Sequence, residues 1–191
     1  VSVLHSKTKS KIPYFLTSLD STGYLKIYDF WSNALAVLLL NDSKKTSASF
    51  NWGQRLIKRK KLPLVPSFWP PIKQSNRLYP LLQTCFKRHF RNYPGSYQNA
   101  GLWPVITGWW CLALEKLGDK KELNKLKENL ENFCKKRSKR SPAPSFREWA
   151  HLKNGRQDGA FYCSWTAASV IYSTLSEKAL TQLGFSTFLK E

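Results

Sequence analysis

Acidic residues are scarce in this chain, 12 Asp and Glu against 31 Lys and Arg, so a carboxylate set among aromatic rings is the first place to look for chemistry. Glu148 is such a residue. It stands in FREWAHLKNGRQD (146–158), flanked by Phe146 and Trp149, with His151 and Lys153 close by. Partial burial against rings raises a carboxyl pKa and a neighbouring cation lowers it; either outcome leaves a usable general base or nucleophile. The plainer alternative is a surface glutamate paired with Arg147 or Lys153. Asp20, Asp29 and Asp158 are the other acids considered, and Asp29 reads more simply as a helix cap.

Around that carboxylate, Trp103, Trp149, Trp165, Tyr97 and Tyr162 sit near the starts of apolar helices or in the loops beside them. The flat apolar faces of sugars stack on indole rings, so a carboxylate among tryptophans fits a carbohydrate cleft. Taken singly, each ring is as readily a core residue. Other chemistries fare worse. There is no glycine-rich phosphate loop and no Gly-x-Ser-x-Gly elbow, and His5, His89 and His151 lack metal-binding spacing, so no metal or cofactor is expected. A Cys163–His151 dyad has no third group to orient it. Cys85, Cys111, Cys134 and Cys163 are scattered without a Cys-x-x-Cys pair, which reads as reduced, mostly buried thiols of a cytosolic protein.

The elements that must position these residues are helical. SYQNAGLWPVITGWWCLALEKLG (96–118) joins a polar, aromatic turn to a helix that is apolar nearly all round, with Asn99 able to cap it, Pro104 suited to its first turn and Gly118 to its end. Tyr97, Gln98, Asn99 and Trp103 bring hydrogen-bonding and stacking groups to its N-terminal end. Earlier, residues 12–19 and 24–28 read as a β-hairpin about a turn at 20–23. Asp29 then caps an apolar helix through Leu40, and an amphipathic helix spans 46–60. Residues 62–96 carry six prolines and form a long packed connection with one helical piece near 81–90. An outer helix is expected over 120–136, a basic loop over 135–145, a turn-rich segment over 146–158, an apolar helix over 164–175 and a short successor from Ser176. The alternation of apolar and amphipathic helices predicts an all-α fold: about two and a half helical hairpins as an inner and an outer ring, a partial (α/α) toroid. In such a ring the loops at the N-terminal ends of the inner helices converge.

The opening Val1-Ser2-Val3 and the absence of methionine suggest a fragment or a processed chain, and two and a half hairpins are too few to close a ring, so the front half is expected to be missing and residues 1–191 to be the C-terminal portion of one domain. Nothing marks the sequence for export or membrane insertion, so a cytoplasmic location is expected. The net charge of +19 is concentrated in residues 7–11, 55–61, 87–91 and 135–140. These read as solvated lysine-rich faces, with a nucleic-acid-binding helical domain as the alternative.

The 96–118 stretch, followed by FREWAHLKNGRQDGAFYCSWTAAS (146–169) and preceded by YDFWSNALAVLLL (28–40), resembles the C-terminal part of the amylo-α-1,6-glucosidase (glycogen-debranching) family and its relatives the neutral/alkaline invertases, six-hairpin (α/α) toroid glycoside hydrolases. The resemblance implies hydrolysis of α-glucosidic bonds in an oligo- or polysaccharide, with Glu148 as catalytic base or nucleophile and a matching aspartate in the upstream half of the toroid. It places Tyr97, Asn99, Trp103 and Trp165 on the sugar subsite with Asp29 near it; Gln98, Trp149 and His151 complete the candidate set. The family usually has histidine where this chain has Gln98, and a second glycine where it has Ala100. The spacing from Glu148 to Trp165 favours the debranching type over a sucrose-hydrolysing, invertase-like enzyme, which stays as an alternative. A toroid that binds glycan without cleaving it is a third possibility.

Overall fold

The computed structural model describes residues 12–15, 19–20, 23–40, 43–84, 89–138 and 141–182. The protein is mostly helical. Asp29 starts α1 (Phe30–Leu39) by accepting a hydrogen bond from the Ser32 amide at 2.6 Å. α2 (Ser43–Lys60) begins three residues ahead of the expected Thr46. Among the described residues the proline-rich connection holds α3 (Tyr79–Thr84), which begins ahead of the helical piece expected over 81–90; residues 85–88 of that piece lie outside the described residues. Then come α4 (Pro104–Leu117), α5 (Lys120–Lys135), α6 (Ser164–Thr174) and α7 (Glu177–Gln182).

Among the described residues, four two-stranded antiparallel sheets modify the expectation of an all-α fold with one N-terminal hairpin. The N-terminal hairpin is present but minimal, β1 (Leu19–Asp20) against β2 (Gly23–Tyr24). β3 (Tyr28–Asp29) pairs with β4 (Phe68–Trp69), β5 (Arg137–Ser138) with β6 (Ser141–Pro144), and β7 (Trp149–Ala150) with β8 (Gln157–Asp158). β5 and β6 lie within the loop expected over 135–145, and β7 and β8 are the two arms of the segment expected to be turn-rich over 146–158. Most of these strands are two residues long, too short to carry an alternating pattern.

α4 is the hub, packed against α1, α5 and α6. Its N-cap is Trp103, with Pro104 at the first helical position, so Asn99 does not cap it; Gly118 ends it in the left-handed region at φ 75°. Trp110 lies fully buried at its centre, stacked on Phe50 of α2 with ring centroids 3.9 Å apart, and its Nε1 donates to Gln54 Oε1 at 2.7 Å. Gln54 Nε2 in turn donates to Glu122 of α5 at 3.1 Å, which also meets Lys58 at 3.2 Å. A Cβ at Gly53 would run into Tyr28 and Trp110, which accounts for a glycine inside α2.

α4 and α6 cross at Gly108, where a Cβ would stand 2.7 Å from the Ser169 Cβ. That closeness decides which side of the apolar helix expected over 164–175 is buried. Only small side chains fit the crossing, so α6 buries Thr166, Ser169 and Ser173, while Trp165 is 45 % and Ile171 62 % exposed. Trp31 of α1 is exposed as well. Cys111, Cys134 and Cys163 are buried free thiols, while Cys85 lies outside the described residues. Among the described residues, no helix is long and apolar enough to cross a membrane.

Candidate active site

The site is built on the β7–β8 hairpin and the segment that leads into α4. Leu102 and Ala150 exchange two backbone hydrogen bonds of 2.8 and 2.9 Å, and the Leu152 amide donates to the Gly95 carbonyl at 2.8 Å, so the hairpin is sewn to the rim of α4. The rim itself is tightly turned. Tyr97 (φ 45°) and Ala100 (φ 66°) occupy the left-handed region that favours glycine. Gly101 between them and Trp103 is required by space, since a Cβ there would meet the backbone of Tyr97 and the ring of Trp149.

In the hairpin register Trp149 faces Asp158. Glu148, one residue earlier, exchanges with the loop that follows β8: its amide donates to the Ala160 carbonyl at 3.1 Å, and its Oε2 accepts from the Ala160 amide at 3.1 Å. Gly159 (φ 81°) lies against this carboxylate so closely that a Cβ would collide with the Glu148 side chain and the Trp149 ring. Arg147 grips the same loop through the Gly159 carbonyl at 2.6 Å and stacks on Phe161. It is thus turned away from an ion pair with Glu148, one of the two plain pairings read from the sequence; Lys153, the other, is exposed.

Glu148 is 8 % exposed and opens on a cleft of about 510 Å³, lined by the hairpin's Glu148, Trp149, His151 and Asp158 and, from the segment before α4, by Arg91 and Ser96. Its charge is felt nearby. Burial pushes the Tyr97 hydroxyl and the Cys163 thiol up, and the Glu148 carboxylate adds to both, with Arg91 opposing it at Tyr97. His151 is held from both sides: Nδ1 lies 2.9 Å from Ser96 Oγ and Nε2 lies 3.1 Å from Asp158 Oδ2, with the ring 4.5 Å from that of Trp149. Arg156 Nη2 also reaches His151 Nε2, at 2.7 Å, and Asp158 Oδ2, at 3.4 Å. Burial would raise the Asp158 carboxyl; the Gly159 amide at 2.8 Å, the bond from His151 and the Arg156 charge outweigh it and hold it below the usual aspartate range.

Of the residues singled out from the sequence, Glu148, Trp149 and His151 meet in this cleft. Tyr97 stands directly behind, its ring 5.9 Å from Trp149 and 5.3 Å from Trp103. Trp103 is buried and spends its Nε1 on the Tyr97 carbonyl at 3.0 Å. Asn99 is 0 % exposed, with its amide divided among Ile72 and Asn92, so it shapes the wall. Gln98 is exposed next to it. Asp29 is the cap of α1, paired with Phe68 across β3–β4, and Trp165 lies on the outward side of α6; neither lines the cleft. Ser96 and Arg156 carry no signal in the sequence, because only the hairpin register brings them to His151.

Trp149 Nε1 is, among the described residues, the one buried side-chain nitrogen or oxygen without a hydrogen-bond partner. No group of three or more His, Cys, Asp or Glu side chains among those residues is placed to hold a metal ion. No protein-family model matches this chain, and no curated protein matches its sequence.

Proposed function

We propose that this chain is the C-terminal portion of an (α/α)6 glycoside hydrolase that cleaves α-glucosidic bonds, of the amylo-α-1,6-glucosidase type, with Glu148 as its base or nucleophile. One observation carries the reading: a nearly buried carboxylate, held by a backbone amide and walled by Trp149, opens on a cleft large enough for a sugar ring. The Ala160 amide fixes one carboxylate oxygen, and the other would be the one to act on a water or an anomeric carbon. A glycosidase needs a second carboxyl to protonate the leaving oxygen, and we assign it to an aspartate of an upstream half of the same ring. A separation of about 6.5–9.5 Å between the two would mean inversion and about 5–5.5 Å retention. The apolar sides that α1 and α6 turn outward, with Trp31, Trp165 and Ile171, suit further helices of such a toroid. Three buried free thiols suit the cytoplasm.

Assaying the full-length protein that contains this chain on maltooligosaccharides, limit dextrin and sucrose decides the substrate class. Cleavage of the first two supports the debranching type, and cleavage of sucrose alone supports the invertase type. Glycan affinity without turnover of any of them would contradict the enzyme reading.

A second reading has its own observation. Arg55 and Lys58 to Lys61 are exposed at the end of α2, and Lys60 lies over the Trp69 ring at 5.6 Å. Cations with an aromatic ring are what a nucleic-acid backbone and base would meet. Of the basic run at 135–140, Lys139 and Arg140 lie outside the described residues. This reading requires binding that weakens steeply with salt, and flat binding across salt removes it.

A further inference from the structure

The groups around His151 make competing demands on one atom. An arginine guanidinium is always protonated and can only donate, so Arg156 bonds Nε2 only when that nitrogen carries a lone pair. An aspartate held below its usual range can only accept, so Asp158 bonds Nε2 only when that nitrogen carries a proton. In the neutral ring the two contacts therefore belong to different tautomers. With Nε2–H donating to Asp158, Nδ1 is the acceptor of a hydrogen bond that the Ser96 hydroxyl donates. With Arg156 on Nε2, Nδ1–H donates to Ser96 Oγ, and the Ser96 hydrogen is left to the cleft that Ser96 lines.

We infer that Arg156 and Asp158 are positioning residues of the cleft: by competing for His151 Nε2 they decide which ring nitrogen is protonated, and so whether the Ser96 hydroxyl donates to His151 or to a hydroxyl of the sugar in the cleft. The ligand class rests on the glycosidic reading above; the proton arrangement does not. Trp149 packs against the imidazole, with ring centroids 4.5 Å apart. The charged groups around it are Asp158 and Arg156 on the same hairpin, with Glu148 and Arg91 on the same cleft.

The test reads the ring directly. Histidine-15N spectra of the full-length protein at pH 8 distinguish a protonated from a lone-pair nitrogen, and the His151 signals are assigned by their loss in His151→Asn. Asp158→Asn is expected to move the population toward Nδ1–H, and Arg156→Gln toward Nε2–H. In the Arg156→Gln protein the Ser96 hydrogen is spent on His151, so KM for the sugar rises about three- to tenfold, the size of one lost hydrogen bond. Ser96→Ala raises KM similarly, and combining the two adds little further. The same tautomer in both hairpin variants, or fully additive KM effects, overturns the inference. Opposite tautomers in a protein that neither binds nor cleaves any sugar would uphold the proton arrangement and contradict the glycosidic reading instead.

Discussion

Glu148 owes its placement to two neighbours with almost no side chain. Gly159 lies against the carboxylate at φ 81°, and the Ala160 amide that follows holds Oε2. Gly155, at φ 65° with nothing within 4 Å of a built Cβ, carries the backbone requirement alone. Gly155→Ala is therefore expected to cost about 1–2 kcal/mol, the penalty of a left-handed residue with a Cβ, and Gly159→Ala distinctly more. Urea unfolding of the two variants side by side measures the difference. Asp158 gives a pH test at the same scale. Its carboxyl is held below the usual range, so the stability it contributes is present above about pH 4, the unfolded value, and is lost as pH falls through the lower folded one. Asp158→Asn should flatten the acid limb of the stability curve below about pH 4; an unchanged limb would show that the carboxylate is not held in this way.

At the scale of elements, the α4–α6 crossing depends on Gly108 lying against Ser169. Gly108→Ala should cost about 1–3 kcal/mol as overpacking, whereas Ile171→Ala on the outward side of α6 should stay within about 0.5 kcal/mol. Thermal unfolding of both separates a packed face from an open one. The same elements show what a sequence can carry. α4 was legible at both ends because Pro104 and Gly118 act through their own backbone chemistry, and Asp29 was legible as a cap for the same reason. Asn99 misled, since its amide is spent on Ile72, 27 positions away along the chain. The hairpin under Glu148 was not legible, because strands of two residues leave no periodicity to read. The carboxylate and its aromatic flanks could be picked out, but the Ser96, Arg156 and Asp158 contacts around His151 exist only once that hairpin pairs.

For the whole molecule, the hub helix ties burial to chemistry. Burial pushes the Cys111 thiol on α4 up to about 12, against a small opposing effect of Lys127, and the Cys134 thiol to about 11. A raised thiol pKa means stability that is fully present below the unfolded value of about 8.5 and lost as pH rises through the folded one. The protein should thus weaken progressively above about pH 9. At pH 8 its buried thiols should resist iodoacetamide until it is unfolded, and rapid alkylation of Cys111 in the native protein would contradict the packing of α4. The role proposed for Glu148 is measured most directly by kcat/KM of Glu148→Gln against the unaltered full-length protein on a maltooligosaccharide, with folding checked by circular dichroism. Glutamine can still accept the Ala160 hydrogen bond but cannot take a proton or attack. A loss of about 100- to 10,000-fold in turnover is expected, with sugar affinity retained. Undiminished hydrolysis by the folded variant would contradict that role.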